Sequence, residues 1–138
     1  MTLAEQEADA RAALLGNQYH PTRFHTRLYL ASPYTQGDKS KNVRKSLEMA
    51  DRLMAAGYAV YAPLLTHFQD LVFPRPANDW LGLDLAWLSV SDVMFRMPGK
   101  SNGADIEEAF ANRRGIPVVR SLAALDGWRS AHTILEEA

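Results

Sequence analysis

The stretch of sequence that decides the fold, residues 92–119, reads DVMFRMPGKSNGADIEEAFANRRGIPVV. It begins with an apolar strand, and a turn that contains two glycines follows at 98–103. A helix is predicted over 104–114, because Gly115 can end it, and a second apolar strand over 116–119. Two strands joined by one helix pair in parallel, since the helix returns the chain to the same end of the sheet. The stretch therefore predicts an α/β unit.

The same alternation of strands and helices extends outward from this unit. Strands are predicted over 28–31, 58–62, 92–97 and 116–119, and helices over 40–56, 79–90, 104–114 and 130–137. The apolar face of the 40–56 helix is predicted to hold Val43, Leu47, Ala50 and Met54. This order predicts an α/β fold, a single-domain doubly wound parallel sheet of the flavodoxin or Rossmann-like kind, with helices on both faces.

The α/β domain is predicted to span 27–138, preceded by an N-terminal appendage, 1–26, that includes a short helix at 4–15. In doubly wound sheets, ligands bind at the carboxyl ends of the strands. The connections that reach this edge lie at 32–40, 63–78 and 98–103. The 63–78 connection reads as a long loop with two prolines, and loops of that length in small domains are usually functional. We therefore expect the site to be built from these three connections.

Composition excludes several functional classes. The 138 residues carry a net charge of −1, which lacks the basic footprint of a protein that binds nucleic acid duplexes. There is no cysteine, so disulfides, zinc–thiolate sites and cysteine nucleophiles are absent, which is consistent with a cytoplasmic protein. No apolar run approaches the ~20 residues that span a membrane. The four histidines show no metal-ligand spacing, and neither GxGxxG nor a P-loop is present, so no metal or cofactor is predicted.

The turn before the 104–114 helix is a candidate anion site. Free backbone N–H groups and the helix dipole favour an anion there, and Ser101 and Gly103 lie in that turn. Glu107 follows about one turn into the helix, where the dipole is expected to favour the ionised carboxylate that a nucleophile requires. The alternative is structural, with Ser101 as an N-cap and Glu107 as an acid that compensates the dipole.

The preceding helix offers a candidate proton donor. Asp84 lies four residues after Trp80 and three before Trp87, so all three can share one side of the helix. A carboxyl group beside indole rings suits a site that holds a flat base and moves a proton, and low exposure would raise its pKa. The alternative is a solvated aspartate on an amphipathic helix whose tryptophans belong to the core.

Three further residues are candidates for substrate binding. Ser32 and Tyr34 follow the first strand, where their hydroxyl groups can contact a sugar or a phosphate. His67 lies in the 63–78 connection at the same predicted edge. The alternatives are an ordinary strand-to-helix turn for the first two and an incidental loop histidine for the third.

Taken together, these segments resemble the nucleoside 2-deoxyribosyltransferase superfamily, especially its 2′-deoxynucleoside 5′-phosphate N-hydrolase branch. The motif with the highest specificity is Ser101-x-Gly103-x-x-x-Glu107, whose spacing selects Glu107 over Glu108. The other matching segments are Asp84-Leu-x-Trp87-Leu88-x-x-x-Asp92-Val93, Ala111, Gly115-Ile-Pro-Val118, the strand that leads into Ser32-Pro33, and Gly57-Tyr-x-Val60. The resemblance covers about residues 28–119.

The resemblance implies an enzyme in which Glu107 attacks the anomeric carbon of a sugar and a covalent glycosyl intermediate forms. Asp84 is implied to protonate the departing base or to orient the sugar. Transferases of the superfamily commonly have an acid six residues before the nucleophile. Here that position is Ser101, and a neutral hydroxyl group tolerates a 5′-phosphate that a carboxylate would repel. The resemblance also implies a homodimer or a larger homo-oligomer.

Three functions remain open at this stage. The first is hydrolysis of the N-glycosidic bond of a nucleoside 5′-monophosphate, with a 2′-deoxy sugar preferred. The second is transfer of the deoxyribosyl group from one base to another. The third is a non-catalytic nucleotide sensor of the same fold. A phosphoribohydrolase of the lysine-decarboxylase-like type is disfavoured, because its PGGxGTxxE motif is absent.

Overall fold

The computed structural model describes residues 2–15 and 26–137, and it shows an α/β fold. The strands are β1 (Thr26–Ala31), β2 (Tyr58–Tyr61), β3 (Val93–Arg96) and β4 (Val118–Val119). The α-helices are α1 (Leu3–Leu15), α2 (Lys39–Ala55), α3 (His67–Val72), α4 (Ala77–Leu88), α5 (Asn102–Arg114) and α6 (Leu122–Glu137), and a 3₁₀ helix spans Pro63–Thr66.

The four strands form one parallel sheet in the order β2-β1-β3-β4. Strand β2 pairs with one side of β1, whereas β3 and then β4 lie on the other side of β1. The strand order therefore reverses between β1 and β3, which is where doubly wound sheets open a crevice for ligands. The predicted fold class, a parallel sheet with helices on both faces, is confirmed.

Each face of the sheet carries its own apolar layer, because side chains alternate along a strand. Leu28 and Leu30 of β1 face one side and pack with α2 and α6, which contribute Leu53 and Leu125. Residues of the opposite parity face α4 and α5, and this second layer contains Tyr29, Ala31, Met94, Leu88, Ala104 and Ala111. The two carboxyl candidates lie on α4 and α5, so both belong to the second layer.

Three local expectations were wrong. On α2, Leu47 and Met54 are exposed, and the inward face instead holds Val43, Ser46, Ala50 and Leu53. Ser46 can be buried because its hydroxyl group accepts a hydrogen bond from Ser32, a pairing that apolar periodicity cannot reveal.

The connection 63–78 is largely helical rather than a loop. The sequence pattern did not predict α3, because this helix buries no side chain and so shows no apolar face. The last helix is twice as long as expected, beginning at Leu122 instead of near residue 130. Ser121 starts it, since its hydroxyl oxygen accepts from the backbone N–H of Ala124 at 3.0 Å.

The N-terminal helix α1 has exposed side chains throughout residues 3–11. Residues 16–25, most of the rest of the expected appendage, lie outside the described part of the chain. Among the described residues, no helix combines the length and the apolar character needed to cross a membrane.

A close contact joins the loops that follow β1 and β3. Gly99 has φ +120°, a conformation that L side chains rarely adopt, and a Cβ atom there would lie 2.8 Å from Cγ of Pro33. Glycine at this position therefore lets the two loops approach each other beside the ligand crevice.

We expect Gly99→Ala to lower the free energy of unfolding by about 1–3 kcal/mol, because the variant adds backbone strain and a clash. Gly82→Ala is the matched control, since Gly82 lies in α4 with open space around it. That control should raise the free energy of unfolding by about 0.5–1 kcal/mol. Chemical denaturation measures both values, and equal effects of the two substitutions would contradict the assigned contact.

Candidate active site

A cavity of about 490 Å³ opens at the carboxyl edge of the sheet, between the connections that follow β1, β2 and β3. All eight site residues selected from the sequence line it, namely Ser32, Tyr34, His67, Trp80, Asp84, Ser101, Gly103 and Glu107. The structure thus brings together residues that lie up to 75 positions apart in the chain, from Ser32 to Glu107. Their roles in binding or catalysis stay predictions.

Glu107 occupies a position on α5 that normally holds a core residue. Ser101 caps this helix, because its Oγ accepts a hydrogen bond from the backbone N–H of Ala104 at 3.1 Å. The inward stripe of the helix then runs through Ala104, Glu107 and Ala111. Only 7% of Glu107 is exposed, so its carboxyl group lies on the sheet side and faces the cavity.

Burial dominates the ionisation of Glu107. Its pKa is raised from 4.5 to about 8, chiefly by desolvation and secondly by the nearby Asp84 carboxylate, although Tyr29 and Arg96 act in the opposite direction. The expectation of an ionised Glu107 is therefore wrong, because the effect of burial exceeds that of the helix dipole. The helix dipole offsets only a fraction of the free-energy cost of taking a carboxylate out of water.

Asp84 is the second buried carboxyl group of the cavity. It is 7% exposed and lies on the inward face of α4. The hydroxyl group of Tyr61 donates to Asp84 Oδ1 at 3.0 Å. The pKa of Asp84 is raised from 3.8 to about 6, because the effect of burial exceeds the opposite effect of the Tyr61 hydrogen bond. The expected upward direction agrees with this result.

The two tryptophans near Asp84 separate in the structure. Trp80 lines the cavity, and its indole Nε1–H donates to Asp70 Oδ1 at 2.7 Å. Trp87 does not line the cavity; it is 51% exposed and stacks on Tyr61. Asp84 and Trp87 both contact Tyr61, but of the two indoles only Trp80 lines the cavity.

The remaining predicted residues make defined contacts at the rim. The Ser32 hydroxyl donates to Ser46 Oγ at 3.2 Å. The Tyr34 hydroxyl and His67 Nδ1 form a short hydrogen bond that links the β1–α2 loop to α3. This link holds α3 over one side of the cavity.

Sequence reasoning missed several residues that shape the site. Tyr29 and Tyr61 come from the strands, and Arg96 ends β3 with its guanidinium group close enough to Glu107 to lower its pKa. Strand parity could have found Tyr29, because it places this side chain on the α5 face of the sheet. Asp70 and Arg75 line the rim, and they follow from no pattern that we recognise in the sequence.

Glu108, the neighbour of Glu107, faces a different environment. Its Oε1 lies 2.6 Å from the guanidinium of Arg120 and 3.7 Å from that of Arg96, and it does not line the cavity. Arg96 also contacts Asp105 at 2.8 Å. The structure therefore separates the two adjacent glutamates, one buried in the cavity and the other in a network of ion pairs.

No family profile matches this chain, and no protein of curated function matches it. One similar solved structure is the 2-deoxyribosyltransferase of the psychrotolerant bacterium Bacillus psychrosaccharolyticus. The identity is 22% over 67% of this chain and 69% of that chain, with a TM-score of 0.48. The function proposed below rests on the residues of this chain's own cavity. Within residues 2–15 and 26–137, no cluster of three or more histidine, aspartate or glutamate side chains could hold a metal ion.

We expect Glu107→Gln to stabilise the fold increasingly as the pH rises. Folding raises the pKa of Glu107 from 4.5 to about 8. The contribution of this group to the free energy of unfolding is therefore most favourable below pH 4.5 and is lost as the pH rises through 8. Glutamine stays neutral throughout. The two proteins should unfold alike at low pH and differ by about 5 kcal/mol above pH 8.

Urea denaturation at several pH values measures this difference, and Glu108→Gln is the matched control. The control removes a partly exposed ion pair with Arg120, so it should produce no stabilisation that grows with pH. A pH-independent effect of Glu107→Gln would contradict the burial of an uncompensated carboxyl group.

Proposed function

We propose that this protein is an enzyme that cleaves the N-glycosidic bond of a nucleoside 5′-monophosphate, preferably with a 2′-deoxy sugar, and releases the free base. The observation that carries the proposal is the pair of buried carboxyl groups, Glu107 and Asp84, in one cavity at the switch point of the sheet. Perturbed carboxyl groups in a cleft are typical of acid–base and nucleophilic catalysis.

The reactive form of the pair has its one proton on Asp84 and leaves Glu107 ionised. It is the minor one-proton form, because Glu107 has the higher pKa. From this form the reaction proceeds in two steps. In the first, a carboxylate oxygen of Glu107 attacks C1′ of the sugar, and the C1′–N bond breaks with its electron pair left on the base. Asp84 gives its proton to the base, which departs neutral. In the second step, water attacks C1′ and the bond to Glu107 breaks. Asp84 takes the proton of the water, so both carboxyl groups return to their starting states.

The lining of the cavity offers groups that suit both the phosphate and the base of a nucleotide. The N-terminus of α5, with the Ser101 hydroxyl group and the backbone at Gly103, offers donors for the 5′-phosphate without a repelling carboxylate. Trp80, Tyr34 and His67 offer ring surfaces for the flat base.

Deoxyribosyl transfer is the second candidate, because the same glycosyl–Glu107 intermediate can react with a base instead of water. The proposal also includes self-assembly into a dimer or a larger oligomer. The exposed apolar side chains of Phe68, Leu71, Val72 and Phe73 beside the cavity form a surface of the kind that associates. A nucleotide sensor remains the non-catalytic alternative, and turnover distinguishes it from both enzymes.

We expect Glu107→Ala to lower the rate of base release by at least about 10³-fold, since the nucleophile is lost. The assay follows free base by chromatography with ribo- and deoxyribonucleosides and their 5′-monophosphates, with and without a second base. Glu108→Ala is the control and should retain the wild-type rate within about threefold, because that side chain lies outside the cavity. Binding of a nucleotide without turnover of any substrate would favour the sensor.

The dependence of kcat/KM on pH should be bell-shaped, with limbs near the two pKa values of about 6 and about 8. Below the lower limb the carboxyl pair holds two protons, so Glu107 cannot attack. Above the upper limb it holds none, so the departing base receives no proton. Between the limbs the pair holds the one proton that the reaction needs. A rate that is constant from pH 5 to about 9 would contradict this assignment.

A further inference from the structure

Three aromatic rings form a continuous stack behind the two carboxyl groups. Trp87 of α4 stacks on Tyr61 of β2, with ring centroids 5.8 Å apart and an interplanar angle of 26°. Tyr61 stacks in turn on Tyr29 of β1, at 5.6 Å and 29°. The stack therefore runs from a half-exposed indole at the sheet edge to a fully buried tyrosine in the core.

The two inner rings each direct a hydroxyl group at one carboxyl group. The Tyr61 hydroxyl donates to Asp84 Oδ1 at 3.0 Å. The Tyr29 hydroxyl is buried without a well-formed hydrogen bond, and its interaction with Glu107 lowers the pKa of that carboxyl group. The positions of the two rings and the environments of the two carboxyl groups are thus coupled through one stack.

Trp87 supports the Tyr61 ring by stacking on it. Trp87 and Tyr61 both line a second cavity of about 540 Å³ along β2, which is an edge strand paired only with β1 among the described strands. Without the indole, the outer face of the Tyr61 ring would face this open cavity and could change rotamer. Trp87 therefore contributes to the site although it does not line the catalytic cavity.

We propose that Tyr61, supported by Trp87, is a positioning residue that determines which oxygen of Asp84 donates the proton. This inference rests on the function proposed above. Tyr61 donates its hydrogen bond to a lone pair of Oδ1, and Oδ1 therefore acts as the acceptor oxygen of the carboxyl group. The proton of neutral Asp84 then resides on the other oxygen, Oδ2. Oδ2 is then the atom that delivers the proton to the departing base.

Three groups on neighbouring elements interact electrostatically with Asp84. They are the Tyr61 hydroxyl from β2, the Tyr29 hydroxyl from β1 and the Glu107 carboxyl group from α5. Of these, Tyr61 alone donates a hydrogen bond to Asp84 among the described contacts. Its removal should therefore raise the pKa of Asp84, while the stacked ring is retained in Tyr61→Phe.

For Tyr61→Phe we expect kcat to fall about tenfold with little change in KM, and the acid limb of the pH profile to move to higher pH. Tyr58→Phe is the matched control, because Tyr58 lies on the same strand outside the catalytic cavity, under the guanidinium of Arg129. It should leave the profile unchanged. Trp87→Phe should preserve the wild-type profile, whereas Trp87→Ala should shift it in the direction of Tyr61→Phe.

A titration by ¹³C NMR of the Asp84 carboxyl carbon, in the protein without substrate, separates this inference from the proposed function. A higher titration midpoint in Tyr61→Phe and Trp87→Ala, with none in Tyr58→Phe, supports the positioning role. An unchanged midpoint in Tyr61→Phe overturns it, whatever the activity. Absence of base release from the wild-type protein would instead defeat the proposed function, and the midpoints would still decide whether Tyr61 controls the Asp84 proton.

Discussion

The structure depends on the burial of two carboxyl groups against one face of a parallel sheet. Glu107 and Asp84 occupy inward positions of α5 and α4 that an apolar side chain would fill at lower cost. Desolvation raises both pKa values, so the pair retains a proton near neutral pH. The strands beneath place two tyrosines near this pair: the Tyr61 hydroxyl donates to Asp84, and Tyr29 lowers the pKa of Glu107.

The order of the strands determines where the site can form. Because the order reverses between β1 and β3, the chain continues from these strands into helices on opposite faces of the sheet, α2 and α5, which leaves room above the carboxyl ends of the strands. The contact between Gly99 and Pro33 sets the distance between the loops that follow these two strands. The hydrogen bond between Tyr34 and His67 then ties α3 to the same opening. Backbone topology, one glycine and one side-chain bond thus determine the shape of the cavity.

Much of this arrangement could be predicted from sequence, and the rest could not for identifiable reasons. Alternating apolar strands and helices predicted the sheet, and turn residues before Glu107 predicted where the cavity opens. Helix α3 could not be predicted because it buries nothing. Helical spacing also could not show that Trp80 lines the cavity whereas Trp87 stacks on Tyr61 outside it. The protonation of Glu107 depends on burial, which no local pattern reports, so the dipole argument gave the wrong sign.

The central claim is that Glu107 forms a covalent bond to the sugar. The most direct measurement incubates the protein with a 2′-fluoro-arabinosyl nucleoside 5′-monophosphate, whose fluorine slows the second step, and then locates any adduct by peptide mass spectrometry. The account predicts a sugar-phosphate adduct on the peptide that contains Glu107, formed as free base is released, and no adduct in Glu107→Gln. Release of base by the wild-type protein without an adduct, or an adduct on Glu108, would contradict it.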